Sequence, residues 1–359
     1  MSQLTKVNFR YIKRRLKFTF DAGTSRGVLK TRDVYWIEAK TYENGNRGWG
    51  EAAPLIGLSP DFSDHFEKDL FDTLQKVQSL AWSAEPSEIL MQVEARVSEK
   101  FPSIRFAVES ALLDLSFGGK KQYFENDFFE KSSPIPINGL IWMGEEDFMK
   151  KQIDEKLNQG FDCIKMKIGA IDFEKEIKLL EYIRRKYSHE QVTLRVDANG
   201  AFTLDEAYQK LKRLAALDLH SIEQPVKAGQ IQEMKELCAT SPLPIALDEE
   251  LIGISEKESL LKEIKPQYII LKPSLLGGIK STQEWIDLAG KQKIGWWMTS
   301  ALESNIGLNV ISQLTSTYKP IIPQGLGTGS LYHNNLNSPL EISSGKIYYK
   351  PRVIWENPN

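Results

Sequence analysis

Cysteine is scarce: Cys163 and Cys238 are the two in 359 residues, without metal-type spacing and far apart in the chain. That reads against a disulfide framework and against a cysteine-ligated zinc site, and it suits a reducing compartment. The four histidines show no ligand spacing, which removes a histidine-held zinc as well. Long apolar runs are also missing. The opening stretch MSQLTKVNFRYIKRRLKFTF scatters charge through its apolar residues, so neither a signal-peptide core nor a membrane span is expected there, and a cytoplasmic location is. Charge of one sign is lacking too, since 46 Lys and Arg offset 48 Asp and Glu to a net −2. Such a balance creates no field that would favour nucleic acid or an anionic membrane, so a small-molecule partner is expected. Whether the chain forms a homo-oligomer is left open.

What is present is enough apolar sequence, 41% of residues, for one barrel-sized core and a smaller domain. Between Val7 and Lys40 two strand-like stretches alternate, with Leu16, Phe18 and Phe20 in one and Val34 and Trp36 in the other. The loop between them, GTSRG, carries Thr24, Ser25 and Arg26, placed to exclude water on closure. The KRR run at Lys13–Arg15 reads as an exposed strand edge. Helical periodicity follows over 62–80, 87–100 and 103–117. This opening third predicts an α+β capping domain over residues 1–120.

After Pro134 short β-rich runs alternate with amphipathic helices, the pattern of repeated βα units on a parallel sheet. Eight runs are predicted: 137–143, 163–168, 192–198, 221–224, 244–249, 268–274, 294–300 and 320–325. Eight parallel strands close into a barrel, so an α/β barrel over 121–325 is expected. Residues 326–359 are expected to return to the capping domain. Trp296 and Trp297 read as packing groups of the seventh run.

Three carboxylates stand at the C-terminal ends of consecutive predicted strands: Asp197 in RVDANGAF, Glu223 in SIEQP and Asp248 in ALDEE. Any one alone reads as a surface acid, but all three sit one βα unit apart, on the face where barrel active sites assemble. Converging carboxylates repel unless a hard cation neutralises them, and an all-oxygen donor set suits Mg²⁺. Lysines flank the triad, with Lys165 and Lys167 on one face of the preceding strand and Lys272 after a wholly apolar strand. Two close ammonium groups in a desolvated mouth are expected to lower each other's pKa, which makes a lysine available as a base.

KMK, DANGAF, EQP, DEE and KPS, in this order and spacing, resemble the enolase superfamily, and more closely its muconate-lactonizing-enzyme subgroup. The resemblance covers nearly the whole chain, because GWGEAAPL and FAVESALLDL are similar to that family's capping domain. It implies a (β/α)7β modified TIM barrel, with Mg²⁺, or Mn²⁺ in its place, held by Asp197, Glu223 and Asp248. It further implies Lys167 as the base, Lys165 as its electrostatic neighbour and Lys272 on the opposite face. Within the subgroup, GWGEAAPLIGLS, TSALESNIGL and QGLGTGSLY resemble the o-succinylbenzoate synthase family. The implied reaction is loss of water from 2-succinyl-6-hydroxy-2,4-cyclohexadiene-1-carboxylate, a step of menaquinone biosynthesis. N-acylamino acid racemase or dipeptide epimerase chemistry is the alternative, and a silent barrel that only binds is a third reading. Arg195 reads either as a salt-bridge partner of a barrel carboxylate or as a contact to the succinyl carboxylate. Ser300 and the backbone of Gly325 are expected to anchor substrate carboxylates, and Asn199 to stand behind the metal ligands. Glu249 is expected beside Asn199 behind the metal ligands, but DEE departs from the more usual DES, which leaves open what Glu249 and Glu250 do there.

Overall fold

Alternating apolar residues make the opening segment a strand, and a long one. In the computed structural model, which describes residues 3–4, 6–24, 27–43 and 45–358, a short β1 (Gln3–Leu4) precedes β2 (Val7–Thr24). β2 pairs antiparallel with β3 (Gly27–Thr41), and β3 pairs with β4 (Arg47–Ala52). Ser25 and Arg26 of the loop, and the side chain of Thr24, lie outside the described residues. Residues 34–39 are buried without alternation: Tyr35, Ile37 and Ala39 pack into the main core, while Val34 and Trp36 join Leu302 and Ile306 of the barrel. The expected alternation fails there because both faces of the sheet are covered.

The helices of this domain are α1 (Phe66–Val77), α2 (Pro86–Arg96) and α3 (Pro102–Ser116), with β5 (Trp82–Ser83) pairing β1 between the first two. The first two are shorter than their apolar periodicity suggests, and the third has the expected length, one residue earlier. α2 and α3 both open on a proline, which fits a first helical turn where no N–H is needed. α3 lies so close to β4 that a Cβ on Gly48 or Gly50 would run into the carbonyl oxygens of Ala111 and Ala107. This close approach accounts for the glycines of GWGEA.

A short α4 (Asp127–Glu130) and β6 (Ile135–Pro136) lead into the barrel. The strands and helices alternate as β7 (Gly139–Ile141), α5 (Glu146–Asn158), β8 (Cys163–Lys167), α6 (Phe173–Lys186), β9 (Thr193–Asp197), α7 (Leu204–Ala215) and β10 (Ser221–Glu223). They continue as α8 (Ile231–Thr240), β11 (Ile245–Leu247), α9 (Lys257–Ile264), β12 (Tyr268–Leu271), α10 (Gly278–Gln292), β13 (Gly295–Met298) and α11 (Asn305–Thr317). Local signals set several boundaries; Thr203 and Glu206, for example, form a capping box at the start of α7.

β7 to β13 form one parallel sheet in sequential order. The eighth predicted strand is not regular. Pro320 and Pro323 cannot donate to a ladder, and 320–325 joins its neighbours through isolated parallel bridges, Ile137 with Gln324 and Thr299 with Gly325. Closure comes instead from the amides of Asn138, Gln324 and Gly325, bonded to Gln324 O, Pro136 O and Met298 O at 2.8–2.9 Å. Two side chains add to it: Gln324 Oε1 accepts from Met298 N at 2.8 Å, and Arg195 Nη1 donates to Pro323 O at 2.8 Å.

The chain then touches the cap, where Thr19 N donates to Leu331 O and His333 N to Lys17 O, both at 2.9 Å. It ends in the hairpin β14 (Leu340–Ser343) and β15 (Lys346–Tyr349), whose second strand pairs β6. Two buried cap carboxylates reach the N-termini of barrel helices. Glu51 accepts from Ser304 N at 2.7 Å and Gly307 N at 2.8 Å at the start of α11, and Glu109 accepts from Ile279 N and Lys280 N at the start of α10. Among the described residues no helix is long and apolar enough to cross a membrane.

Candidate active site

Strand pleating decides which side chains enter the barrel mouth. Lys165, Arg195 and Ser221 stand in register across β8, β9 and β10, and two residues on, Lys167, Asp197 and Glu223 form the next row toward the C-terminal ends. Asp248 follows β11 directly, and Lys272 follows β12. Counting the irregular segment as the eighth position, Lys167 stands on the second and Lys272 on the sixth, on opposite sides of a closed barrel. All six groups named for catalysis and metal binding meet in one place.

Their contacts are dense. Lys165 Nζ lies 2.5 Å from Glu223 Oε2 and 3.0 Å from Asp197 Oδ2. Lys167 Nζ lies 3.1 Å from the same Asp197 oxygen and 2.8 Å from Asn199 Oδ1. Lys272 Nζ bonds Asp248 Oδ2. Burial alone would lower the pKa of Lys165, but the carboxylates of Asp197, Glu223 and Asp248 outweigh it and hold the group above the usual lysine range. Lys272 is raised in the same way, with Asp248 as its main counter-charge. The lowered lysine expected from ammonium repulsion is therefore not found at these two positions, because the carboxylates packed on each ammonium outweigh both burial and the neighbouring charge. Burial pushes Asp197 up, but Lys165, Lys167 and Lys272 prevail and hold it well below the carboxylate range. Glu223 goes the other way, raised by burial and by repulsion from Asp197.

Among the described residues no three acidic, histidine or cysteine side chains already converge at metal-binding distance, since each carboxylate is turned onto a lysine. The donor set nonetheless fits a hard dication. Asp197 and Glu223 already share one cation, the Lys165 ammonium, and Glu223 Oε1 is buried with no hydrogen-bond partner. Carboxylate oxygens on three successive strands are the ligands that Mg²⁺ prefers.

The supporting residues divide clearly. Asn199, at φ +44°, accepts from Lys167 and donates from Nδ2 to Glu249 Oε1 at 3.0 Å, so Asn199 and Glu249 back the Lys167 side of the mouth. Ser300 lines the mouth with its Oγ 2.5 Å from Thr328 Oγ1. Gly325 also lines it, but its amide donates to Met298 O at 2.8 Å and so is not free to hold a substrate carboxylate. Arg195 does not reach the cavity wall. It lies in the row below, stacked 4.0 Å from the Trp297 ring centroid, and meets neither a carboxylate nor the mouth. Trp297 floors the cavity, while Trp296 packs outward on Tyr318.

Sequence reasoning passed over Gln224, Thr328 and Glu51, and left Glu250 without a role. EQP and DEE contain Gln224 and Glu250, but nothing in a linear motif shows that their side chains bond each other. The cavity measures about 1250 Å³ and is roofed by Phe20, Leu29, Ile56 and Leu58 of the cap. This exceeds the roughly 300–1,000 Å³ usual for small-ligand sites, because it continues past Gly139 toward Lys156 and Ile342.

Comparison with known proteins agrees with this geometry. Residues 149–352 match the family model described as enolase C-terminal domain-like. An o-succinylbenzoate synthase of Desulfotalea psychrophila is 46% identical over 96% of this chain and 99% of its own. The crystal structure of MenC from the same organism superposes with a TM-score of 0.85 at 41% identity, covering 96% of this chain and 100% of that one. The L-Ala-D/L-Glu epimerase of Bacillus subtilis shares the fold, with a TM-score of 0.84 at 20% identity over 96% of both chains.

Proposed function

Because the chain belongs to the o-succinylbenzoate synthase family of the enolase superfamily, we propose that it is a cytoplasmic, Mg²⁺-dependent hydro-lyase. Its substrate is 2-succinyl-6-hydroxy-2,4-cyclohexadiene-1-carboxylate and its product o-succinylbenzoate, a step of menaquinone biosynthesis. The observation that supports this most strongly is the opposition of Lys167 and Lys272 across a mouth, each paired with a carboxylate of the Asp197, Glu223 and Asp248 set.

A proton α to a carboxylate is a weak acid, because its removal makes a dianionic enediolate. When bound at Asp197, Glu223 and Asp248, the ion neutralises these carboxylates and acts as a Lewis acid toward that charge. Lys167 takes the α-proton as general base, with its Nζ aimed by Asn199 Oδ1. The same ammonium then returns the proton to the departing hydroxyl on the same face, the C–O bond breaks, water leaves and the ring becomes aromatic. Lys165 keeps a positive charge between Asp197 and Glu223. Lys272 holds its ammonium against the opposite ring face, a contact worth about 2 kcal/mol when desolvated. The hydroxyls of Ser300 and Thr328 offer donors to a substrate carboxylate, and the cap residues over the mouth keep water out.

Conversion of the cyclohexadiene to the aromatic product, followed by ultraviolet absorbance, tests the proposal. Turnover that EDTA and Lys167→Ala both abolish supports it, and no turnover by the wild-type protein with Mg²⁺ present overturns it. The opposed lysines also suit racemisation of N-acylamino acids or epimerisation of dipeptides, with both exchanging protons. Exchange of the α-proton of both enantiomers in deuterated water, lost in Lys272→Arg, would favour that second reading.

A further inference from the structure

Gln224 follows the metal-facing Glu223 and is fully buried at φ +41°. Its Oε1 accepts the backbone N–H of Asp248 at 3.1 Å and of Glu250 at 3.3 Å, while its Nε2 donates to Val226 O and to Glu250 Oε2, both at 3.1 Å. The second carboxylate oxygen of Glu250, Oε1, accepts from Gly229 N at 2.9 Å. Backbone pairing of β10 with β11 ends at Gln224 N to Ala246 O, two residues short of Asp248. Beyond that point these side-chain bonds tie the end of one metal-bearing strand to the end of the next. Glu250 is 3% exposed and lines no part of the cavity, so it touches no substrate.

We infer that Glu250 is a positioning residue, which acts through Gln224 to fix where the Asp248 carboxylate stands relative to Glu223 and thereby sets the affinity of the site for a divalent cation. The inference rests on the proposed metal site. Its chemistry is directional: Gln224 presents one donor and one acceptor to the DEE segment, and a carboxylate at 250 is the complement of that donor. A neutral amide at 250 would set N–H against N–H, and a carboxylate at 224 would set two acceptors against each other while repelling the Asp248 ligand.

The test uses the full chain in four forms: wild type, Glu250→Gln, Gln224→Glu, and the double exchange that restores one donor and one acceptor in reversed order. Mg²⁺ is titrated calorimetrically into each metal-free protein, with thermal unfolding as a check on folding. Each single variant should bind Mg²⁺ roughly tenfold more weakly, the scale of one buried hydrogen bond to a charged group; the double should bind more tightly than Gln224→Glu alone, because the 224–250 bond is restored while the Val226 carbonyl still lacks the donor that Gln224 Nε2 gives it. In parallel, amide exchange at Asp248 and Glu250 is followed without metal; it should quicken in the singles and slow again in the double. A double variant no tighter than Gln224→Glu, or unchanged exchange in Glu250→Gln, overturns the clamp. Wild-type protein that binds no Mg²⁺, while exchange behaves as expected, sinks the metal reading and leaves the clamp standing.

Discussion

The guanidinium of Arg195 stacks 4.0 Å from the centroid of the Trp297 ring, one pleat below Asp197, and donates to Pro323 O at 2.8 Å. The proline-interrupted eighth segment has few amides to offer, so this side chain closes the barrel at the point where a regular ladder fails. Arg195→Met should therefore lower stability by about 1–3 kcal/mol, the loss of a charged hydrogen bond and a cation–π contact offset by removal of two buried, unpartnered nitrogens, Nε and Nη2. Urea unfolding measures it. KM should change little; a large rise in KM with unchanged stability would return Arg195 to the role of a substrate contact.

Glu51 holds the cap on the barrel by accepting from the first amides of α11. Glu51→Ala leaves those buried donors without partners, at about 1–3 kcal/mol each for the groups that water cannot reach. The expected result is a lower unfolding midpoint and, since the cap roofs the cavity, a raised KM. An unchanged midpoint would show that Glu51 adds nothing net to the docking of the cap.

Lys167 and Lys272 should separate in kinetics. Lys167→Ala should cost roughly 10²–10⁴ in kcat, the usual worth of general acid–base catalysis. Lys272→Arg, which keeps a charge on the opposite face, should retain more of the dehydration than Lys272→Ala. Equal losses for the two Lys272 variants would mean that this group moves a proton and does not merely hold charge. Steady-state kinetics on the three variants decides it.

Much of this site is legible in the sequence because βα spacing maps directly onto neighbouring strands. Asp197, Glu223 and Asp248 recur once per unit, and the alternation of Lys165 and Lys167 is a strand's period of two. Arg195 shares that inward parity, but parity gives the face and not the height, and one pleat separates a wall residue from a buried strut. Gly325 is read by its place after a strand, whereas the use of its amide depends on barrel closure, which involves residues far apart in the chain. The irregular eighth strand could have been foreseen from Pro320 and Pro323. The Gln224–Glu250 bond could not, because it depends on the path of two loops after their strands end.

The two cap carboxylates also predict a pH response. Burial pushes Glu109 up to about 8 and Glu51 up to about 7, both from an ordinary value of 4.5, in spite of the amides from which each accepts. Between the unfolded and folded values the native state binds more protons than the unfolded one, so stability falls as pH rises through that window and levels off once both groups ionise in both states. His220 acts in the opposite sense, since burial and Arg195 lower it to about 4 from 6.5, but its influence ends near the upper of those values. Asp114 and Glu176, which burial raises to about 7, act in the same direction as Glu109 and Glu51, so over about pH 6.5 to 8.5 the unfolding temperature should decline with rising pH. Glu109→Gln keeps an oxygen for Ile279 N but cannot ionise, and it should flatten the decline. A wild-type unfolding temperature that climbs across this interval, or a Glu109→Gln slope equal to wild type, would show that the Glu109 carboxyl is already ionised at the start of α10 at neutral pH, held there by the helix amides.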